Sequence, residues 1–373
     1  MATKGFLDRL RWDAPTSGES KPARGSRRIE VLDAFRGLAV IAVILFHYTF
    51  RWGPDYAPGA PDLYHYPARI DWFSQGWMGV YLFFIISGFV IFMTLERCKT
   101  IFEFALRRIA RLYPAYLICM TATFLVTTIL GVPEFVSSFK TYLVGFSLAS
   151  SHINFGWVDA AYWSLLVEIK FYVWVSILFY LFKSNFTAAW IAFLAICCVG
   201  EFQFTTLAHG LLSPTNMPFF TFGIAFYFIH RDKAVTLKPL ALFVAGGAMY
   251  LLLWHERPAV IHLLTALTLL LFGLFVAGRL QWLRQRWLLY IGAISYPLYL
   301  LHQAIGVALI SRMAPATVPA QIATLLGVTA LITIGAALVH TCVELPIYRL
   351  VHRGFSRAPQ PQAPSTQTPA QPR

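Results

Sequence analysis

Long apolar runs that are nearly free of charge dominate this chain. They occur at 33–52, 76–95, 112–131, 161–183, 187–205, 215–230, 238–254, 259–278, 287–311 and 319–342, each ended by charge or by Pro and Gly. A run of about 17–25 such residues is the length of helix that crosses about 30 Å of hydrocarbon, where every backbone N–H and C=O must be satisfied within the segment. The expected fold is therefore an all-α polytopic membrane protein of about ten transmembrane helices. The apolar stretch 137–149 is shorter and is expected as an interfacial or re-entrant helix. Composition agrees, with 58% apolar and only 13% charged residues. Soluble domains hold about a quarter charged residues, so an ordinary soluble enzyme is excluded.

The formal net charge of +13 is read first as topology, not as affinity for nucleic acid. With ten spans, 24 of the 30 Lys and Arg fall on one side, and Arg51, Arg69, Lys140, Arg257 and Arg312 fall on the other. That bias predicts cytoplasmic N- and C-termini. Residues 1–28, basic and rich in Gly, Pro and Ser without an early apolar core, are expected as a disordered cytoplasmic leader. Residues 354–373 are expected as a disordered Pro/Gln-rich tail, leaving 29–353 as the membrane domain. Five cysteines without CxxC or metal-type spacing are read as reduced, packed residues, and no metal site is expected.

Ionisable side chains inside such runs cost about 2.5–3.5 kcal/mol each at the bilayer centre on insertion scales, so each needs a reason. Arg36 and His47 stand eleven residues apart in the first run. Eleven residues at 100° come within about 20° of three turns, placing both on one helix face about 16 Å apart along the axis. One cavity would serve both, with Arg36 near the cytoplasmic mouth suited to a phosphate and His47 deeper as a neutral general base. The competing reading is a topological arginine and a hydrogen-bonded interhelical histidine.

Arg107, Arg108 and Arg111 occupy adjacent helical turns, a spacing that suits a polyphosphate or lipid headgroups. Glu168 is a lone carboxylate in an apolar stretch and Lys170 faces elsewhere, so its partner is expected on another span. Pro297 predicts a kink ahead of a second embedded histidine, His302. Val343-Glu344-Leu345-Pro346 is read as a helix stop whose Glu344 meets a nearby arginine.

Six features occur in one order across residues 30–353: Arg36 with His47, GVYLFFIISGF at 79–89, RRIARLYPAY at 107–116, WSLLVEIKFY at 163–172, SYPLYLLH at 295–302 and VELP at 343–346. In this set the chain resembles the membrane-bound acyltransferase family 3, in the stand-alone form without an extracytoplasmic hydrolase-like domain. The resemblance implies an O-acyltransferase that moves an acyl group, usually acetyl, from cytoplasmic acyl-CoA to a hydroxyl of an extracytoplasmic carbohydrate. It implies Arg36, Arg107, Arg108 and Arg111 as contacts for the CoA phosphates, and His47 as general base with Glu168 as a second catalytic candidate. Trp163, Ser164, Tyr296 and His302 would line the acceptor part of the cavity. The implied partners are membrane lipid, acyl-CoA as co-substrate with no permanently bound cofactor, and a polysaccharide or lipid-linked oligosaccharide acceptor.

A thioester is already activated, so the protein has mainly to join donor and hydroxyl, exclude water and take a proton. The competing function is a secondary transporter or flippase for a sugar-containing substrate, with His47, Glu168 and His302 relaying protons. It lacks the internal repeat such carriers show. Trp52, Tyr56, Tyr64, Tyr66, Trp72, Trp77 and Trp157 suit either sugar stacking or an interfacial aromatic belt, and the belt is the expectation.

Overall fold

Every one of the ten apolar runs lies on a helix, and no strand occurs among the described residues. The structure, a computed structural model, describes residues 29–356 apart from 54–55, 57–61, 65, 69 and 149–155. The expected leader lies outside the described residues, as does the tail from 357 onward. Helix α1 (Glu30–Phe46) runs directly into a wider π-helical turn, His47–Arg51. There follow α2 (Gly79–Leu95), α3 (Ile101–Leu130), the short α4 (Phe139–Gly145), α5 (Trp163–Phe182) and α6 (Phe186–Gln203). Then come the short α7 (Thr205–Leu211), α8 (Met217–Asp232), α9 (Leu237–Trp254) and α10 (Ala259–Val276). The last are α11 (Arg286–Ala293), α12 (Ser295–Met313) and α13 (Val318–Val339), then, after a second π turn at His340–Glu344, α14 (Leu345–Ser356).

Seven helical stretches are long and apolar enough to cross a membrane, or eight if α11 and α12, bent by 70°, form one span. Two features account for the remaining difference from ten. Ala160–Gln203 counts as one stretch of 44 residues. It turns back at Lys183, where φ is +31°, so α5 and α6 lie antiparallel with Trp174 against Phe193 (5.3 Å) and Phe179 against Phe186 (6.2 Å). Helix α8 has 16 residues, below the usual crossing length, and is buried throughout Met217–Phe228. The stretch 137–149 yields only the seven residues of α4, too short to cross.

Local chemistry explains the ends that matter for function. At the start of α3, Thr100 Oγ1 accepts the Glu103 N–H (3.1 Å) and Glu103 accepts the Lys99 N–H (2.9 Å), a reciprocal cap; Gly131 at φ +61° ends the helix. The kink anticipated at Pro297 falls at Ile294, and Pro297 sits in the first turn of α12, where its missing N–H costs no hydrogen bond. Two readings are corrected. The helix does not stop at Val343–Pro346, because the π turn has already opened the ladder ahead of Pro346, and Glu344 binds His340 (2.5 Å), not an arginine. All five cysteines are free, but Cys342 is exposed on that π turn, not packed.

Two apolar cores share α1. One centres on α2 and α8, where Phe220 stacks on Phe84 (4.7 Å) and Phe171 (4.1 Å); the other surrounds α12 with α3 and α13. Helix α12 is buried on every side from Leu300 to Ala308. Helices α2 and α8 touch backbone to backbone, since a Cβ at Gly88 would lie 2.1 Å from the Phe220 carbonyl oxygen and one at Gly223 2.1 Å from that of Ile85. Small residues drive such close approach where lipid offers no hydrophobic gain. Gly223→Val should therefore cost about 1–3 kcal/mol or more through overpacking. Thermal unfolding in detergent should show a lowered Tm for Gly223→Val and no loss for Gly247→Ala, whose Cβ would meet open space.

Candidate active site

Between the two cores five helices leave a cleft of about 810 Å³, measured to include its open mouth. Arg36 comes from α1, Ser87 from α2, Arg108 and Arg111 from α3, Ser164, Glu168 and Tyr172 from α5, and Ser295, Tyr296 and Tyr299 from α12. Arg111 is exposed, whereas Arg108 is half-buried and binds Thr94 Oγ1 through Nη2 at 3.3 Å. Buried Arg108 Nε has no hydrogen-bond partner among the described groups. Arg36 binds Asp33 at 3.0 Å. Position 107 lies one turn from 111, but Arg107 is drawn back by Glu103, four residues earlier, at 2.8 Å and does not line the cleft. The cluster of three guanidinium groups expected from spacing is thus, on the cleft wall, Arg36, Arg108 and Arg111.

Glu168 does find partners on another span and on its own. Its Oε1 accepts from Ser87 Oγ at 2.5 Å and from Tyr172 Oη at 2.6 Å. These contacts hold it on the wall of the cleft that also carries Arg36, Arg108 and Arg111. Lys170, on another face of α5, donates to the His209 carbonyl at 2.8 Å.

The two embedded histidines meet. His302 Nε2 lies 3.2 Å from His47 Nδ1, with the rings nearly perpendicular at 4.9 Å. The neighbouring carbonyls decide which nitrogens carry protons. His302 Nδ1 lies 2.6 Å from the Tyr299 carbonyl oxygen, which can only accept, so Nδ1 is protonated and, in the neutral ring, Nε2 is an acceptor. His47 Nδ1 therefore faces two acceptors, His302 Nε2 and the Val43 carbonyl at 2.9 Å, and must carry the proton. The basic lone pair of His47 is consequently on Nε2.

Neither His47 nor His302 lines the cleft, so the single cavity expected to serve both Arg36 and His47 stops short of the histidine pair, and Tyr299 is the residue that touches both. Its ring is 5.2 Å from that of His302, its hydroxyl donates to the Ala161 carbonyl (3.0 Å) and accepts from Ser164 Oγ (2.9 Å), and it lines the cleft. Tyr296 also lines the cleft and donates to the Leu112 carbonyl at 3.0 Å. Trp163 does not line it; its ring lies edge-on to Phe84 at 6.1 Å.

Sequence reasoning passed over Ser87, Tyr172, Tyr299 and Asp159. The first three sat within the segments singled out, but only their neighbours could mark them. Asp159 had a signal of its own, a carboxylate at the edge of an apolar run. It is 2% exposed and accepts from the N–H groups of Ala161 (2.8 Å) and Ala304 (2.9 Å), fastening the start of α5 to the turn of α12 that carries His302. Burial raises its pKa from 3.8 to about 6, against the pull of both N–H groups. The folded protein then binds the extra proton between those values, so this contribution to stability is complete below about pH 4 and is lost as pH rises through about 6. The Tm of the wild type relative to Asp159→Asn, which lacks this titration, should fall across that window; a constant difference would show that Asp159 titrates alike folded and unfolded.

The chain is 29% identical over 167 residues to "O-acetyltransferase OatA" of Staphylococcus aureus, a match covering 39% of this chain and 24% of that protein. It is 26% identical over 184 residues to "Peptidoglycan O-acetyltransferase OatA" of Listeria monocytogenes, covering 44% of this chain and 26% of that one. It is 24% identical over 284 residues to "Putative acetyltransferase ORF330" of Acidianus two-tailed virus, covering 72% and 80%. The chain thus spans about a quarter of the length of the OatA relatives it matches. No solved structure matches. The family model described as "Acyltransferase domain", acyltransferase 3, matches residues 29–341, from the first described residue into the start of the π turn after α13. This multi-pass membrane chain, with its paired embedded histidines and arginine-lined cleft, belongs to that acyltransferase family.

Proposed function

We propose that the protein is an acyl-CoA-dependent O-acyltransferase of a bacterial-type inner membrane, carrying an acyl group, acetyl in the simplest case, to a hydroxyl of an extracytoplasmic carbohydrate. The observation that carries the reading is the tautomer of the His47–His302 pair, which leaves His47 Nε2 as a neutral base inside an apolar protein interior. In this reading the arginine end of the cleft faces the cytoplasm, as the uneven distribution of Lys and Arg requires. Arg111 at the exposed mouth, with Arg108 and Arg36 deeper, would hold the CoA phosphates. The pantetheine arm would then run toward Tyr299, along the roughly 16 Å that eleven helical residues place between Arg36 and His47.

The acceptor oxygen attacks the thioester carbonyl as His47 Nε2 takes the hydroxyl proton. The carbon–sulfur bond breaks, and the CoA thiolate recovers a proton from the imidazolium. His302, accepting from His47 Nδ1–H, orients the ring and stabilises its charged form through the transfer. The names of the OatA relatives make cell-wall or other surface glycans the natural acceptor class, and the chain's limited coverage of those relatives keeps the particular sugar part of the proposal.

His47→Ala should abolish transfer of label from acetyl-CoA to envelope glycan while leaving the protein in the membrane; near-normal acylation would overturn the assignment. Arg108→Ala and Arg111→Ala should raise the KM for acetyl-CoA by about tenfold each, a loss of about 1.4 kcal/mol per charged contact. Arg107→Ala, whose guanidinium is held by Glu103 outside the cleft, should change it far less. Equal effects at 107, 108 and 111 would return the cluster to a purely topological role.

A further inference from the structure

Three tyrosines beside the histidine pair, the buried Tyr48 and Tyr64 and the half-buried Tyr66, have no part in the scheme above. Tyr64 and Tyr66 belong to the loop between α1 and α2, where an aromatic belt was expected, yet Tyr64 is 0% exposed and its ring stacks on Tyr66 at 4.6 Å and 13°. Their hydroxyls reach inward. Tyr64 Oη donates to the main-chain carbonyl of His47, and Tyr66 Oη donates to that of Tyr48 at 2.8 Å. Tyr48 Oη in turn donates to the main-chain carbonyl of His302 at 2.9 Å. Each histidine therefore has its own carbonyl held by a phenol, and Tyr66 ties the two attachments together.

The surrounding structure is shaped to allow this. A Cβ at Gly306 would lie 1.9 Å from Tyr48 Oη, so α12 can approach α1 only because position 306 has no side chain. The loop is anchored by Leu63 N–H to the Trp52 carbonyl (2.9 Å) and by Gln321 of α13, whose amide donates to the Ala68 carbonyl (2.9 Å) and accepts its N–H (3.3 Å). Burial pushes the Tyr64 and Tyr66 phenols well above their ordinary range, so both stay protonated and able to donate. The restraint acts where it is needed, because His47 opens the π turn, a wider and less regular ladder than the α-helix before it.

We infer that Tyr48, Tyr64 and Tyr66 are positioning residues for acyl transfer, holding the backbones of His47 and His302 so that the Nδ1···Nε2 contact persists and His47 Nε2 keeps its lone pair toward the acceptor. The inference rests on the His47–His302 pair being the base proposed above. A phenol-to-carbonyl bond buried in protein has no water to replace it, and a displacement of about 1 Å at a reacting group costs roughly a hundredfold in rate.

The test uses the full-length protein in membranes at matched abundance, labelled acetyl-CoA as donor and the native cell envelope as acceptor. Tyr64→Phe, Tyr66→Phe, Tyr64→Leu and His47→Ala are compared with wild type across pH and donor concentration. The Phe variants keep the ring stack and lose only the hydroxyl. They should lose about ten- to a hundredfold in kcat with the KM for acetyl-CoA unchanged, and their pH–rate profile should be displaced along the pH axis. A fraction of misfolded protein would lower such a profile without moving it. If both Phe variants match wild type in rate and profile while Tyr64→Leu and His47→Ala lose activity, the rings merely pack and the inference is overturned. If His47→Ala itself retains transfer, the proposed function fails and the inference falls with it. Should Tyr64→Phe not accumulate in the membrane, Tyr66→Phe, which leaves the His47 carbonyl contact intact, decides the question.

Discussion

The hydrogen bond from His47 Nδ1 to His302 Nε2 joins the first helix of the bundle to the twelfth, and the surrounding architecture is arranged to let it form. Two imidazoles inside a protein that lies in hydrocarbon need every ring and backbone polar group accounted for, since no water is present to take up an orphan. The Val43 and Tyr299 carbonyls consume one ring N–H position each. The π turn and the missing side chain at Gly306 let Tyr48 pass between the helices to the His302 carbonyl. Asp159 holds the Ala304 N–H on the following turn of α12. A polar centre is thus built from atoms of α1, α12 and the segments beside them, with its protonation pattern dictated by acceptors that cannot themselves donate.

The arginine end obeys a different rule. Arg111 is at the exposed mouth, where a charged group keeps its hydration, while Arg108 is drawn inward against Thr94 and keeps a buried Nε that has no partner among the described residues. Glu168 is close by, and its Oε1 is taken up by two hydroxyls, those of Ser87 and Tyr172. That arrangement leaves positive potential available to an anion at the mouth of a cleft whose deeper walls are mostly apolar. The cleft itself exists because it follows the seam between two separate apolar cores, one around α2 and α8 and the other around α12.

How far the site was legible in the sequence follows from the range of each signal. Arg36, Arg108, Arg111, Ser164, Glu168 and Tyr296 all stand on the cleft wall, as the motifs that contain them suggested. Arg107 was grouped with its neighbours because it lies one turn from Arg111, yet its Glu103 partner, four residues back and readable from helical spacing, holds it off the cleft. His302 was recognised as an embedded histidine, but its partner 255 residues away was not, because nothing local encodes which spans adjoin. The aromatic loop was assigned to the membrane interface for the same reason: Tyr64 and Tyr66 look like belt residues until the π turn beneath them supplies carbonyls to bind.

The sequence by itself determined that the chain is helical and membrane-embedded, and where its apolar runs lie, because hydrocarbon penalises an unsatisfied backbone and an unpaired charge wherever they occur. It also determined the family, through motifs whose order survives independently of their contacts. Tertiary structure alone decided that His47 meets His302 and that the base nitrogen of His47 is Nε2. Those outcomes depend on which acceptor faces which donor across helices far apart in the chain, and that pairing is settled only when the close contacts at residues such as Gly88, Gly223 and Gly306 lock the bundle into one arrangement.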